Sequence, residues 1–286
     1  MRNRPFAVIA LFAAFLLLIP SPLLAAHAPH ARVPARPDPS DELMNQSVMA
    51  YTWFQTSAEA RALYYQAFAL ADMMLEKDLA DRSVTKKRAV IVDIDETLLD
   101  NSPYNVAQLE NGSGTEALSW DEWVKLAQAR ALPGAVDFLT KAHKRGVDIY
   151  YVSNRSVDQT DSTIRNLQAA GFPQARASHL LLSNGESSKE LRRQQIERDH
   201  HIVLLMGDNL SDFAQIFDRR SMADRSKAVD MLKEKFGHSF IVLPNPMYGD
   251  WEYALYNYRQ LSPEQKLEAR KKALSPSPSP VRQLAQ

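Results

Sequence analysis

Along the middle of the chain, short runs of apolar residues alternate with segments in which apolar residues recur every three or four positions. The short runs are typical of buried β-strands, and the periodic segments are typical of amphipathic helices. The runs occupy residues 89–92, 147–152, 179–182, 202–206 and 240–243. Strands that alternate with helices in this way predict an α/β fold, in which helices flank a parallel sheet.

A helical pattern also precedes the first of these strands, over residues 41–82. Thr56 and Glu59 have the spacing of a capping box at a helix N-terminus. The apolar stripe that follows consists of Leu63, Tyr64, Ala67, Leu70 and Met74. Because such a stripe normally packs against a core, we expect this N-terminal helical segment to cover the main domain.

The two ends of the sequence differ in composition from its middle. Basic residues and an apolar run over residues 6–19 predict a secretory signal peptide at residues 1–26, and this run is shorter than the roughly 20 residues of a membrane-spanning helix. Residues 27–40 are rich in proline, which interrupts helices and sheets, so they predict a linker. Residues 261–286 predict a short helix and then a disordered tail rich in proline and serine.

Overall composition limits the class of protein. A chain of 286 residues with 45% apolar and 24% charged residues suits one globular domain with additional segments. Lys and Arg together number 34, as do Asp and Glu, so no net charge attracts a nucleic acid polymer or an anionic membrane. Cysteine is absent, which excludes disulfides and a lipid attached through cysteine. We therefore expect a periplasmic or secreted protein that is not a lipoprotein and keeps no stable membrane anchor after signal cleavage.

Carboxylates are crowded directly after the first predicted strand, at Asp93, Asp95, Glu96 and Asp100. Ligands of parallel sheets bind beyond the carboxyl ends of the strands, so the segments that follow the other strands belong to the same crevice. Crowded carboxylates repel each other unless a cation joins them. Oxygen ligands without a cluster of histidines or thiolates favour Mg²⁺.

A calcium-binding loop is the competing interpretation of these carboxylates. When Asp93 is counted as position 1, Leu98 occupies position 6, where such a loop requires glycine. Tyr104 occupies position 12, where the loop requires glutamate. The sequence therefore argues against a calcium loop and for a magnesium site.

Four motifs occur in order at the ends of the predicted strands, namely DIDET, VSNR, a lone Lys189 and GDNLSDF. This order resembles the haloacid dehalogenase (HAD) superfamily. Together with WFQTSAEARAL and LPNPMYGDWE, the chain resembles the bacterial class C acid phosphatases, which include outer-membrane lipoprotein 5′-nucleotidases, over residues 45–258. The resemblance implies a HAD-like Rossmannoid sheet with a small helical subdomain, a phosphatase core at residues 83–260 and an insertion at about residues 101–132.

The same resemblance implies a role for each acidic residue of these motifs. Asp93 would be the nucleophile that forms an aspartyl-phosphate. Asp95 would protonate the leaving oxygen and then deprotonate the attacking water. Asp93, the backbone carbonyl of Asp95 and Asp208 would bind Mg²⁺, and Asp212 would hold a metal-bound water.

The remaining motif residues are expected to bind the phosphate group. Ser153, Asn154 and Lys189 are the candidates, and Ser187 with Glu190 has the spacing of a capping box that would put the Lys189 ammonium in the first turn of a helix. Each residue also has an ordinary explanation when it is taken alone. Serine and asparagine are common in turns, a helix lysine is usually solvated, and Asp212 fits a helix cap or a surface acid.

The resemblance also makes two aromatic residues, Trp120 and Tyr248, candidates for a nucleoside-base pocket, with structural packing as the alternative role. Trp123 has the spacing of a core residue. The resulting prediction is a Mg²⁺-dependent acid phosphatase that hydrolyses phosphomonoesters, above all nucleoside 5′-monophosphates. A phosphotransferase that uses the same intermediate and a non-catalytic binding or storage protein on the same scaffold are the alternatives. The resemblance also implies a homodimer.

Overall fold

The computed structural model of the protein describes residues 38–110 and 118–274. The strands are β1 (Lys87–Val92), β2 (Leu99–Asp100), β3 (Arg130–Ala131), β4 (Asp148–Ser156), β5 (Leu180–Ser183), β6 (His200–Gly207) and β7 (Phe240–Val242). The helices are α1 (Pro39–Thr56), α2 (Ala58–Leu79), α3 (Ser102–Glu110), α4 (Trp120–Leu126), α5 (Ala135–Lys144), α6 (Thr160–Ala169), α7 (Glu190–Glu197), α8 (Met222–Met231), α9 (Asp250–Leu255) and α10 (Pro263–Ala273).

The long strands form one parallel sheet in the order β5-β4-β1-β6-β7. In the register of the sheet, Ala89 of β1 lies between Asp148 of β4 and Ile202 of β6. The predicted α/β fold with a parallel sheet is therefore confirmed. Because β1 is central, the segments that follow β1, β4 and β6 meet at one edge of the sheet.

Helices cover both faces of this sheet. Val90 of β1 belongs to a large buried cluster with Phe68 of α2 and Phe138 of α5, whose ring centroids lie 5.8 Å apart. Ile91 points to the opposite face and packs in a second cluster with Ile196 of α7. Alternation along β1 thus serves two hydrophobic layers, and each fully buried side chain of this size contributes about 1.5 to 3 kcal/mol.

The boundary between α1 and α2 differs from the prediction by one residue. Ser57 caps α2, because its hydroxyl accepts a hydrogen bond of 3.0 Å from the backbone N–H of Ala60. Thr56 is the last residue of α1, and its hydroxyl donates to the carbonyl of Thr52 at 2.7 Å. The predicted capping box of Thr56 and Glu59 is therefore wrong, since the Thr56 hydroxyl is directed back along the preceding helix.

The predicted linker ends earlier than expected, because α1 begins at Pro39. Proline is well suited to the start of a helix, where its missing N–H needs no partner, and Asp38 caps the helix by accepting from the backbone N–H of Ser40 at 2.8 Å. The idea that these prolines exclude a helix is wrong at this position. The rest of the predicted linker, the predicted signal peptide and the predicted tail from residue 275 onward lie outside the described residues.

The predicted insertion at about residues 101–132 contains α3, α4 and β3. β3 pairs with β2 in an antiparallel ribbon that places Leu99 opposite Ala131, which the sequence did not predict. Two-residue strands are too short to give a recognisable alternation of apolar and polar residues. The glycine-rich part of the insertion, residues 111–117, lies outside the described residues.

The N-terminal helices make different contacts. α2 packs on the sheet, whereas α1 contacts α3 and α10 through hydrogen bonds from Gln55 to Ser102 at 3.0 Å and from Arg270 to Gln46 at 3.1 Å. The division of the chain into a helical segment, a phosphatase core and a C-terminal segment stays a prediction. Within residues 38–110 and 118–274, no helix has both the length and the apolar character needed to cross a membrane.

Candidate active site

The chain that leaves β1 forms the floor of a crevice at the carboxyl edge of the sheet. The backbone N–H of Asp93 donates to the carbonyl of Met206 in β6 at 2.9 Å, which fixes Asp93 one residue beyond the strand. The hydroxyl of Thr97 lies 3.3 Å from a carboxylate oxygen of Asp93 and 3.1 Å from one of Asp208. Thr97 thus joins the ends of β1 and β6 beneath the two carboxylates.

The segment after β6 brings a second and a third carboxylate to Asp93. Asp208 follows Gly207 directly, and Asp212 ends a short 3₁₀ turn that Arg193 of α7 holds through the backbone carbonyl of Asp212 at 2.8 Å. A Cβ atom at Gly207 would lie only 2.2 Å from a carboxylate oxygen of Asp212. Glycine is therefore required at residue 207 to let the Asp212 carboxylate approach the backbone.

Lys189 connects these carboxylates. Its ammonium contacts Asp93 and lies 2.6 Å from Asp212, and its side chain is only 5% exposed. Lys189 is the residue that immediately precedes α7, and the predicted capping box of Ser187 and Glu190 is wrong, because the backbone N–H of Glu190 donates to the hydroxyl of Ser188 at 3.4 Å and not to Ser187. The ammonium nevertheless reaches the carboxylate cluster from the N-terminal end of α7.

Burial and charge together determine the protonation of this cluster. Burial raises the pKa of Asp93 to about 7, which Lys189 opposes and which Asp212 and Asp95 reinforce. Burial, Asp212 and Asp93 raise the pKa of Asp208 well above its ordinary value. Burial alone would lower the pKa of Lys189, but the carboxylates of Asp212 and Asp93 outweigh it and raise this pKa. When all three carboxylates are ionised, the crevice therefore contains more negative charge than Lys189 balances.

This donor set fits a hard divalent cation. One carboxylate oxygen from each of Asp93, Asp208 and Asp212 lies within 4.8 Å of the others. Three carboxylates face one ammonium, and the remaining two negative charges equal the charge of a divalent ion. Oxygen donors without nitrogen or sulfur suit Mg²⁺ better than zinc or copper. The Asp95 carboxylate is not part of this group, since it is directed toward β4.

Asp95 is held by residues from two other elements. Arg155 of β4 donates to both oxygens of its carboxylate at 2.7 to 3.1 Å, and Asn101 donates to it at 2.8 Å. The indole N–H of Trp123 in turn donates to Asn101 at 2.8 Å, so Trp123 supports this contact as well as packing against the core. The Asp95 carboxylate is therefore fixed beside Asp93 but outside the cation-binding group.

Two further carboxylates in and just after the first motif do not line the cavity. Glu96 is fully buried at a positive φ of 57° and accepts a hydrogen bond of 2.8 Å from the backbone N–H of Asn101. Burial raises its pKa well above the ordinary value, which favours the neutral acid. Asp100 accepts from the backbone N–H of Ser102 at the start of α3, at 2.9 Å. Both therefore shape the loop around the site.

The predicted phosphate-binding residues of β4 lie inside the strand, since β4 extends to Ser156 rather than ending at residue 152. The Ser153 hydroxyl is buried 3.4 Å from Asp95, at the limit of a hydrogen bond. Asn154 donates to the carbonyl of Ser187 at 2.9 Å and accepts from Arg192 at 2.7 Å. Ser153 therefore lines the crevice with Lys189, while Asn154 connects β4 to the segment before α7.

A cavity of about 660 Å³ opens from the carboxylates toward solvent, and both predicted aromatic residues line it. Trp120 makes an edge-to-face contact with Tyr104 at 5.3 Å, and the Arg155 guanidinium lies 5.6 Å from its ring. Tyr248 lies three residues after Asn245. The Asn245 amide donates to Asp208 at 2.8 Å and accepts from the backbone N–H of Tyr248 at 3.4 Å. Tyr248 is thus connected to Asp208 through Asn245.

Sequence reasoning assigned no role to Arg155, Asn101, Thr97 or Asn245, although each contacts a predicted site residue. Arg155 is the last residue of the VSNR motif and could have been found, because a buried arginine after a strand needs an acidic partner. Asn101 and Asn245 gave no signal, since asparagine is common in turns. Their roles depend on contacts between distant segments.

Comparison with known proteins matches most of the chain to a single family. The sequence profile described as HAD superfamily, subfamily IIIB (acid phosphatase), matches residues 32–251. The Stem 31 kDa glycoprotein of Glycine max is 30% identical over 203 residues, which cover 68% of this chain and 69% of that protein. Acid phosphatase 1 of Solanum lycopersicum is 27% identical over 167 residues, which cover 55% of this chain and 57% of that protein.

Solved structures give the same result. The class C acid phosphatase from Bacillus anthracis is 45% identical, with a TM-score of 0.79. The match covers 83% of this chain and 100% of the Bacillus anthracis chain. The structure of the class C acid phosphatase from the same organism with tungstate bound is 46% identical, with the same TM-score of 0.79 and the same coverage of 83% and 100%. Both sequence and fold therefore agree with the profile match.

Proposed function

The chain belongs to the HAD superfamily, subfamily IIIB acid phosphatases, and on that basis we propose that it is a Mg²⁺-dependent phosphomonoesterase that hydrolyses nucleoside 5′-monophosphates through an aspartyl-phosphate. Membership in the family makes it a phosphoric monoester hydrolase whose substrates are small phosphate esters. The observation that carries the finer proposal is the position of Asp93 at the end of the central strand. Asp93 contacts Lys189, and one of its carboxylate oxygens lies within 4.8 Å of oxygens of Asp208 and Asp212.

In the first step of the proposed mechanism, an oxygen of Asp93 attacks the phosphorus while the bond between phosphorus and the ester oxygen breaks. Asp95 gives its proton to that leaving oxygen. In the second step, Asp95 takes a proton from a water whose oxygen attacks the phosphorus, and the bond to Asp93 breaks to release inorganic phosphate. Arg155 and Asn101 keep the Asp95 carboxylate in place for both proton transfers.

The phosphate group is held by charge and by hydrogen bonds. Asp93, Asp208 and the backbone carbonyl of Asp95 would bind Mg²⁺, with Asp212 acting through a metal-bound water. When bound, Mg²⁺ would neutralise negative charge on the phosphate oxygens. Ser153 and Lys189 would donate to the same oxygens, and Asn154 would donate directly or fix the loop that carries Lys189. Tungstate in the 46%-identical neighbour supports an oxyanion site, since tungstate is tetrahedral like phosphate.

The leaving group would occupy the part of the cavity lined by Trp120 and Tyr248. A nucleoside base can stack on either ring, because every base presents a π face. The Tyr248 loop is anchored to Asp208 through Asn245, which supports a fixed distance between base and phosphate. These positions favour nucleotides over small alkyl phosphates as substrates.

A panel of phosphate esters tests the proposal, with purified protein assayed with and without a chelator. We expect phosphate release from nucleoside monophosphates that the chelator abolishes and added Mg²⁺ restores. Full activity in excess chelator would contradict the metal role. Transfer of the phosphoryl group to an added nucleoside would identify the phosphotransferase alternative, and binding without any release would identify the storage alternative.

Cellular location and assembly are also part of the proposal. The apolar run over residues 6–19 supports export to the periplasm or medium and cleavage near residue 26, and the absence of cysteine supports a product without a cysteine-linked lipid. Sequencing the N-terminus of exported protein would test the cleavage. The homodimer implied by the family resemblance is tested by light scattering of the purified protein.

A further inference from the structure

The cavity extends beyond the residues used in the proposed mechanism to an outer wall, formed by one residue between β6 and α8 and by several residues after α9. This outer wall consists of Arg219, Arg259, Lys266, Tyr256 and Tyr258. Cavities of 300 to 1,000 Å³ hold molecules of drug size. The cavity's volume of about 660 Å³ therefore leaves room beyond a phosphate group for a large leaving group.

The cations of the outer wall lack acidic partners. Among the described residues, no carboxylate lies within 4.0 Å of the exposed Arg219 and Arg259 or of the half-buried Lys266. Two acids line the same cavity but do not neutralise the wall. Asp250 faces Arg225 at 3.7 Å, and burial raises the pKa of Asp218, which favours its neutral form.

Two of these cations are positioned on aromatic rings. The Arg219 guanidinium lies 5.1 Å from the ring centroid of Tyr258, and the Lys266 ammonium lies 5.5 Å from that of Tyr256. Such cation–π contacts hold the cations in place while leaving their N–H groups available. These cations thus cover one face of each ring.

The rest of the outer wall is also held in a defined conformation. The hydroxyl of Tyr256 donates to Glu252 at 2.9 Å and accepts from Arg270 of α10 at 2.8 Å. Arg219 has a positive φ of 51° and Tyr258 one of 56°. Residues other than glycine adopt such angles rarely, and proteins retain them most often where the backbone positions a functional group.

We propose that Arg219, Arg259 and Lys266 form a second anion-binding site, which receives a second phosphate group carried on the alcohol portion of the substrate. The site formed by Asp93, Asp208 and Lys189 holds the phosphate that is cleaved, Trp120 and Tyr248 hold the base, and the outer wall holds the second phosphate group. This inference rests on the proposed nucleotide phosphatase activity. It narrows the substrate class to nucleotides that bear two separate phosphate groups, such as nucleoside bisphosphates.

Steady-state kinetics with adenosine 5′-monophosphate and adenosine 3′,5′-bisphosphate tests this site, with phosphate release measured for the Mg²⁺-loaded enzyme. The double variant Arg219→Gln, Arg259→Gln should raise KM for the bisphosphate about threefold to tenfold, as expected for exposed charge contacts. The kcat for both substrates and KM for the monophosphate should change less than about twofold, because a lost binding contact raises KM alone. For the wild type, the ratio of kcat/KM for the bisphosphate to kcat/KM for the monophosphate should also fall as the salt concentration rises.

Arg220→Gln is the matched control, because Arg220 is an exposed neighbour that does not line the cavity. An equal KM change in this control, or equal changes for both substrates in the double variant, would overturn the second site. If the double variant hydrolyses the monophosphate normally and its KM for the bisphosphate is also unchanged, the second site is refuted, while the proposed nucleotide activity stands. Failure to hydrolyse either nucleotide, while other phosphate esters are cleaved, would refute the proposed nucleotide activity and this inference with it.

Discussion

The guanidinium of Arg155 donates hydrogen bonds to both carboxylate oxygens of Asp95. Its Nε atom lies 3.0 and 3.1 Å from the two oxygens, and Nη2 lies 2.7 Å from Oδ1. Arg155 is itself fixed, because its side chain is only 1% exposed and donates to Thr163 at 3.2 Å. A planar guanidinium that binds both oxygens defines the orientation of a carboxylate, which a lysine ammonium cannot do.

Replacing Arg155 by lysine should therefore impair proton transfer while keeping the charge. We expect Arg155→Lys to lower kcat on the order of 10²-fold, the typical cost of misplacing a catalytic group by about 1 Å. The loss should shrink for aryl phosphates whose leaving groups are already stable, since these need little help from an acid. Measurement of kcat across a leaving-group series checks this, and a uniform loss would argue for a general structural role.

Asp93→Asn should remove turnover, because an amide cannot form the acyl phosphate that the proposed mechanism requires. The side chain keeps its size, so the circular dichroism spectrum should match that of the wild type. Appreciable phosphate release by this variant would exclude Asp93 as the nucleophile. The exposed Asp230→Asn variant on α8 is the matched control and should retain full activity.

Asp208→Asn should have opposite effects on stability and activity. Burial and neighbouring carboxylates raise the pKa of Asp208, which lowers the stability of the metal-free protein at pH values above the ordinary pKa of 3.8, so replacing this acid by an amide should raise Tm at neutral pH. Loss of a proposed metal ligand should abolish activity and the stabilisation that Mg²⁺ gives the wild type. Thermal unfolding with and without Mg²⁺ measures both effects. An undiminished Mg²⁺ shift in the variant would contradict the ligand role.

Tyr248→Ala should weaken nucleotide binding by about 1 to 3 kcal/mol if the ring stacks on the base. KM for nucleoside monophosphates should rise accordingly, whereas hydrolysis of a small alkyl phosphate should change little. Tyr248→Phe retains the π face and serves as the control, so its KM should stay near that of the wild type. Equal losses on nucleotide and alkyl phosphate would show that Tyr248 is a structural residue.

Asp148 should stabilise the protein in a manner that depends on pH. Although burial acts in the opposite direction, hydrogen bonds from Lys87, Gln174 and His200 lower the pKa of Asp148 to about 2. A lowered pKa in the folded state means that the stabilisation is complete above the ordinary value of 3.8 and is lost as pH falls toward 2. At neutral pH it should amount to about 1 to 2 kcal/mol, reduced by the exposure of Lys87.

Urea unfolding of Asp148→Asn over a pH series measures this contribution. The difference in unfolding free energy from the wild type should be constant between pH values of about 5 and 7 and should shrink below about 4. Asp199→Asn is the matched control, because Asp199 is exposed and immediately precedes His200, the partner of Asp148 in β6. This variant should show little difference at any pH. A difference that persists unchanged into acid would mean that the Asp148 charge does not matter.

The sequence by itself determined the parallel sheet and the order of the acidic motifs along it. Both are local properties, since apolar runs identify the strands and the residue after each run lies at the same edge of the sheet. Asp93, Asp208 and Lys189 could be assigned to one crevice on that basis. Helix boundaries were less well determined, because adjacent hydroxyls such as those of Thr56 and Ser57 compete for the same capping role.

Only the tertiary structure decided which side chains support these residues. Arg155 binds Asp95, and Asn245 binds Asp208, across segments that are far apart in sequence. Both contacts depend on the strand order and on the direction of each side chain. The cations of the outer wall likewise come together only because the chain after β6 and the chain after α9 fold over the same cavity. No local pattern encodes such contacts, since surface arginines and lysines look alike in sequence whether they are solvated or face a cavity.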